Sequence, residues 1–288
     1  MGQTLRQIDI PPAVRAQPII FNLLGDYVFP RGDRVWTGGL LDMLSRLGVR
    51  ERAARSALSR MKLKGWLTAG RSGRRSVYIL TPRTKTLLGE GARRMFGPRP
   101  TKWDGSWHLV VYSLPQTQRA LRRQLRTRLS WLGYGMLLPG TMVAAFPRDG
   151  EVTELFRELG VERYVHFFSR SKLETADGNE IVARCWDLPG LNRRYAQFIR
   201  RYQPSYEWFL GSNQSSDGLP PEESFVHRFW ITYEFSSYPR EDPNLPPELL
   251  PPDWVGGQAA ELLRGYRELL KAAAEGFAGS TMQVEPAA

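Results

Sequence analysis

The hydrophobic period changes at Gly65, and that change limits what the first third of this chain can build. Before it, residues 50–64 drawn at about 100° per residue place Ala53, Ala54, Ala57, Leu58 and Met61 on one arc. Arg52, Arg55, Ser56, Ser59, Arg60 and Lys62 fill the other, with Leu63 the one apolar residue among them, near the helix end. Gly65 is placed to stop the helix as a left-handed cap. After it come two β-like runs, 66–68 and 76–80, joined by a turn around Ser72-Gly73 with Arg71, Arg74 and Arg75 close by. A basic helix followed by a basic-tipped hairpin is the pattern of a winged helix-turn-helix. Its helix can enter a major groove while the hairpin reaches toward the adjacent backbone.

A cationic helix face is also what plain solvation produces, so the distribution of charge matters. Residues 1–100 carry 19 Lys and Arg against 6 Asp and Glu, whereas residues 101–288 carry 21 against 23. The whole surplus of +11 therefore sits in the N-terminal third, where a polyanion-binding module needs it. No run approaches the ~18 apolar residues of a membrane span, and the N-terminus lacks a signal-peptide core and a myristoylation pattern. One cysteine, Cys185, forbids an intramolecular disulfide and a multi-cysteine zinc site. The expectation is a soluble, cytoplasmic protein.

Taken in order, residues 1–15 read as a flexible arm and 16–98 as the winged helix-turn-helix with a trailing helix. A first helix spans 17–27, a β-like pair Val35-Trp36 follows, and Thr37 is placed to cap a second helix through Leu47. Gly48-Val49 turns the chain into the basic helix, and Thr81-Pro82 opens the trailing helix of about 83–95. Gly97-Pro98-Arg99-Pro100 marks a boundary. Residues 99–173 alternate strand 107–112, helix 116–131, strands 136–138 and 141–146, helix 151–159 and strand 163–168. That βαββαβ order is ferredoxin-like. Residues 174–288 read as a helical C-terminal domain with helices near 189–202, 224–235 and 257–274, a loop at 211–218 and a frayed tail after Gly279. The fold class is α+β.

Several stretches together resemble the phenylacetic-acid-degradation repressor family, the PaaX-like bacterial transcriptional regulators. They include Asn22-Leu23-Leu24-Gly25-Asp26-Tyr27, Ala57-Leu58-Ser59-Arg60-Met61 and Lys64-Gly65-Trp66-Leu67. Arg74-Arg75-Ser76-Val77-Tyr78-Ile79-Leu80-Thr81, Trp103-Asp104-Gly105-Ser106-Trp107 and Trp131-Leu132-Gly133-Tyr134-Gly135 also match. So do Cys185-Trp186-Asp187-Leu188 and the run from Leu245-Pro246-Pro247 to Asp253-Trp254. The resemblance implies a winged-helix DNA reader, a central domain like the small sheet protein of CRISPR adaptation, and a helical C-terminal domain. It further implies a homodimeric repressor of aromatic-acid catabolic genes on a palindromic double-stranded operator, released by an aryl-acetyl-CoA such as phenylacetyl-CoA.

For DNA, Arg52, Arg55, Ser56 and Ser59 are the base or groove candidates, and Arg60, Lys62, Lys64, Arg74 and Arg75 the phosphate candidates. The helix 116–131 carries Arg119, Arg122, Arg123, Arg126 and Arg128 without an acid. Arg119, Arg122 and Arg126 are candidates for holding the phosphates of an acyl-CoA effector, with contact to DNA flanks or plain solvation as the other readings. The aromatic residues at 225–235 fit core packing better than an aryl pocket. His108, His166 and His227 match no metal spacing, so no metal, catalytic residue or cofactor is expected. A nuclease centre of the CRISPR-adaptation type needs an acid at the end of the first sheet strand. Here Val111-Tyr112-Ser113-Leu114 offers none, and Asp104 precedes the strand. The alternatives to a repressor are a nucleic-acid-binding module without an effector and, behind it, a metal-dependent nuclease.

Overall fold

The computed structural model describes residues 15–97, 102–174, 177–212 and 219–282. Apart from Arg15, the expected N-terminal arm lies outside these residues, as do 213–218 of the expected loop. The chain divides into two compact units. One comprises the residues up to Gly97 with Phe198–Ser236 and the segment from Gln258 onward; the other comprises Pro98–Gln197 with Ser237–Gly257.

In the first unit, α1 (Ala16–Leu23) buries Ile19, Ile20 and Leu23 and runs on through a wider turn at Leu24–Val28. A short 3-10 turn ends at Gly32, whose φ of 142° is open to glycine alone. β1 (Arg34–Trp36) leads into α2 (Thr37–Arg46), which buries Leu40, Met43 and Leu44. Trp36, not Thr37, holds the N-cap position, with no side-chain hydrogen bond. Gly48, at φ 80°, turns the chain into α3 (Glu51–Leu63). Lys64 caps that helix, and Gly65 follows at φ 71°, the left-handed conformation expected of it.

The hairpin strands are β2 (Leu67–Ser72) and β3 (Arg75–Leu80), paired from Leu67↔Leu80 to Ser72↔Arg75, so Gly73-Arg74 form the tip. With β1 they make an antiparallel sheet in the order β1-β3-β2. α4 (Pro82–Phe96) is capped by Thr81, whose Oγ1 accepts from the Thr84 amide. Thr81 Oγ1 also donates to the Gly65 carbonyl at 2.9 Å, and Thr84 Oγ1 to the Trp66 carbonyl at 2.6 Å. These bonds fasten the helix-to-wing junction.

Residues 174–288, read from sequence as one helical domain, fall to both units. α7 (Gly178–Cys185), which the sequence reading missed, belongs to the second, and α8 (Leu188–Ser212) crosses the division. α9 (Pro221–Phe235) and α11 (Lys271–Met282) belong to the first, as does most of α10 (Gly256–Leu269). Phe225, Phe229, Trp230, Ala274, Ala278 and Met282 share one core cluster with α1–α3. The reason is physical: α1 and α2 present more apolar surface than α3 and a three-stranded wing can cover, so later helices close it. Of the tail expected to fray after Gly279, residues 280–282 are helical and Met282 is buried, and the rest lies outside the described residues. α9 is buried around most of its circumference, which explains its lack of a polar face.

In the second unit, β4 (Trp107–Tyr112), β5 (Gly135–Leu138), β6 (Thr141–Ala144) and β7 (Val165–Ser171) form an antiparallel sheet in the order β5-β6-β4-β7, the ferredoxin-like arrangement. α5 (Arg119–Trp131) and α6 (Asp149–Leu159) cover one face through Leu125, Leu129, Val152 and Leu155 against Val110, Tyr112 and Met142. Trp107 and Val143 on the other face pack with Ile181, Val182, Leu188, Leu245 and Leu249. A Cβ on Gly135 would stand 2.6 Å from both the Cys185 Cβ and the Trp186 indole, so the edge strand passes tightly under the end of α7. The architecture is α+β throughout.

Candidate nucleic-acid interface

α3 is anchored by Ala54, Ala57, Leu58 and Met61, all fully buried. Ala53, expected on that arc, is exposed. The opposite side is free: Arg52, Arg55, Ser56, Ser59, Arg60, Lys62 and Lys64 are all exposed, and so are Arg74 and Arg75 of the wing. Every nucleic-acid contact residue expected from the sequence is therefore accessible.

Local bonds order part of this surface. Arg55 pairs with Glu51 one turn back, Nη2 to Oε1 at 2.7 Å, and Arg60 donates to Ser56 Oγ at 2.7 Å. Arg75 lies over the Trp36 ring at 4.9 Å, which fixes a wing cation against the sheet. Arg52, Ser56, Ser59 and Leu63 follow one line at helical spacing. Leu63 is 81% exposed, the largest exposure among the described large apolar residues. A helix of 13 residues is about 20 Å long, and a major groove of about 12 Å admits it. What this surface can do chemically is donate hydrogen bonds and positive charge to a polyanion, with serine hydroxyls and one apolar side chain available to base edges.

The three effector candidates part company. Arg119 is exposed. Arg122 is spent on the fold, its Nη2 donating to the Leu114 carbonyl at 2.6 Å and the Pro115 carbonyl at 3.3 Å. Arg126 lines a cavity of about 630 Å³ with Arg123, Thr127, Ser130, Trp131 and Arg240. Arg126, but not Arg122, is therefore among the residues that line this cavity. Arg240 escaped the sequence reading because it comes from a proline-rich connection with no periodic signal.

The histidines are dispersed. His227 Nδ1 lies 3.1 Å from Tyr266 Oη in the core, His166 is exposed on β7, and His108 is buried on β4. His108 Nδ1 meets Ser169 Oγ at 3.0 Å, and that hydroxyl donates to Asp149 Oδ2 at 3.3 Å. In a nucleophilic triad the imidazole stands between acid and hydroxyl; here the hydroxyl stands between the other two. Burial holds the His108 pKa below its ordinary range, with Asp149 opposing. Asp104 accepts from the Ser106 amide at 2.9 Å, which lowers its carboxyl pKa. Among the described residues no three His, Cys, Asp or Glu gather as metal ligands. Burial pushes the Cys185 thiol up to about 11, away from thiolate chemistry.

Three family models match in sequence: "PaaX-like protein" at residues 15–84, "PaaX protein central Cas2-like domain" at 100–182, and "PaaX-like protein C-terminal domain" at 186–280. "Transcriptional repressor PaaX" of Escherichia coli (strain K12) is 30% identical over 276 residues, covering 93% of this chain and 86% of that protein. The chain belongs to the PaaX-like family. In this PaaX-like chain the nine candidate DNA contacts fall inside the first matched segment and the α5 arginines inside the Cas2-like one. An uncharacterized protein of Mycobacterium tuberculosis, Rv0674, has the same fold at a TM-score of 0.58 and 20% identity, over 93% of this chain and 99% of that one. Among the described residues no helix is long and apolar enough to cross a membrane.

Proposed function

We infer that this protein is a DNA-binding transcriptional repressor, a regulator rather than an enzyme, acting on aromatic-acid catabolic genes of the phenylacetate type. The observation that carries the reading is the exposed cationic face of α3 and the wing, in a chain similar along its length to a transcriptional repressor. Arg52, Arg55, Ser56 and Ser59 read bases from the major groove, while Arg60, Lys62, Lys64, Arg74 and Arg75 hold phosphates. A homodimer presents two such heads to a palindromic operator. An aryl-acetyl-CoA such as phenylacetyl-CoA releases it by binding preferentially to the form whose heads do not match the two half-sites, since only differential affinity shifts such an equilibrium.

The test is an anisotropy titration on the protein's own promoter against a scrambled duplex, at several salt concentrations, with and without a panel of CoA thioesters. Preferential promoter binding that one thioester abolishes supports the reading. Equal affinity for both duplexes defeats it. Specific binding that no thioester alters leaves a repressor without this effector.

A further inference from the structure

The face of α5 opposite its core contacts carries a site that neither the DNA reader nor the fold requires. Arg123, Arg126, Thr127 and Ser130 sit at i, i+3, i+4 and i+7, so they share one side of the helix. Trp131 and Arg240 complete the lining of an open groove of about 630 Å³, in which only Trp131 is partly buried and the other side chains are exposed. The Arg240 guanidinium stands 5.6 Å from the centre of the Trp131 ring. Neighbouring arginines on the same helix are committed elsewhere, Arg128 to Glu158 and Arg122 to two carbonyls. Among the described residues no carboxylate pairs with Arg123, Arg126 or Arg240.

Three guanidinium groups converging on one groove without an acid repel one another, and a ligand carrying several negative charges removes that repulsion. Guanidinium forks match phosphate oxygens in pairs, and the Thr127 and Ser130 hydroxyls add donors. An indole with a guanidinium beside it suits a flat heterocycle, which stacks on both kinds of plane. We propose that this groove binds the phosphorylated adenosine end of a nucleotide-type ligand, with Arg123, Arg126 and Arg240 on phosphates and Trp131 against the base. The assignment rests on the effector reading above in one respect: the adenosine 3′-phosphate 5′-diphosphate portion of a CoA thioester is the ligand end that fits, and its acyl group reaches out of the groove.

The test uses the full chain and two probes, adenosine 3′,5′-bisphosphate and coenzyme A, titrated by calorimetry into the wild type, Arg123→Gln/Arg126→Gln and, from a separate element, Arg240→Gln. Thermal unfolding of each variant checks that the fold is intact. Binding of both probes to the wild type, at least tenfold weaker in the double variant and several-fold weaker in Arg240→Gln, is the expected result. Trp131 should contribute a change in indole fluorescence on binding. Undetectable binding of both probes to the wild type, or equal affinity in the folded variants, overturns the proposal. So does a loss of promoter affinity in the double variant with nucleotide binding unchanged, which makes the groove a contact to DNA flanks. Failure of the effector reading looks different: the probes bind and the variants weaken them, yet no thioester releases promoter DNA.

Discussion

The Arg267 guanidinium forks over both carboxylate oxygens of Asp26, at 2.6 and 2.8 Å, across 241 residues of chain. Asp26 sits in the wide turn that ends α1, inside the Asn22–Tyr27 stretch of the family resemblance. Arg228 approaches the same carboxylate at 3.5 Å and reaches Glu275 at 3.3 Å, and Arg31 joins Glu275 at 3.3 Å. Asp26 and Arg228 are almost wholly buried, with side-chain exposures of 8% and 5%. Asp26 thus faces two guanidinium groups, of which Arg228 is shared with Glu275 and Arg267 keeps a 15% exposure.

Asp26→Asn is therefore expected to destabilise the first unit strongly. Removing one partner of a buried pair leaves an uncompensated charge and costs about 3–5 kcal/mol. Urea denaturation checks it. A change below about 1 kcal/mol would mean that the pair behaves as a surface ion pair.

The Glu51–Arg55 bond makes a prediction of opposite sign for DNA. Arg55→Ala should weaken promoter binding by ~1–3 kcal/mol and relax specificity at one base position. Glu51→Ala frees Arg55 and removes an acid from the cationic helix, so it should tighten binding. Anisotropy at fixed salt measures both, and unchanged affinity in Arg55→Ala takes that residue off the interface.

Lys62 and Arg74 have a different expected signature. As phosphate contacts, Lys62→Ala and Arg74→Ala should weaken promoter and scrambled duplexes alike, and each should reduce the salt slope of log K by about 1. A selective loss on the promoter alone would make either residue a base reader.

Gly39 reports on how the C-terminal helix closes the reader. A Cβ there would collide with the Thr281 carbonyl oxygen and stand 2.7 Å from the Met282 Cα. Gly39→Ala should cost about 1–3 kcal/mol through overpacking, lowering the thermal midpoint. An unchanged midpoint would show that α11 yields without cost.

His108 gives a pH dependence. Burial depresses its pKa below the ordinary 6.5, so the folded protein holds the neutral ring while the unfolded chain binds a proton more readily. Its contribution is complete above 6.5, is lost as pH falls below that value, and levels off below the folded-state pKa. Urea midpoints measured from about pH 7.5 down to 5 should therefore decline, and His108→Gln should flatten the decline. An identical pH profile in His108→Gln would assign the decline to other groups.

What the sequence made legible was local and periodic. Ala54, Ala57, Leu58 and Met61 repeat at helical spacing, and Gly65 closes that pattern, so the helix, its cap and the wing were readable in order. The strand Trp107–Tyr112 was readable as an apolar run, and the ferredoxin-like order followed from the succession of strand-like and helical runs. Pairings between distant segments were not readable. Nothing in the spacing of Arg267 points to Asp26, and nothing near Gly39 announces Thr281, because complementarity between remote surfaces leaves no period in the chain. α7 is only 8 residues long, too brief for a periodic signal, although Asp177 does cap it through the Asn179 amide. Arg122 and Arg126 looked equivalent one turn apart, yet the Leu114 carbonyl claims the first and leaves the second facing the groove.

The core shared by Leu44 and Leu58 with Ala274, Ala278 and Met282 has a temporal side. Translation delivers α3 some two hundred residues ahead of α11; at ~5–20 residues per second the gap is on the order of ten seconds or more. Through that interval Ile20, Leu40 and Leu44 await their lid, and a fragment released early carries the cationic helix without the scaffold that aims it. A chain that ends before α11 therefore lacks part of the core that backs α1–α3.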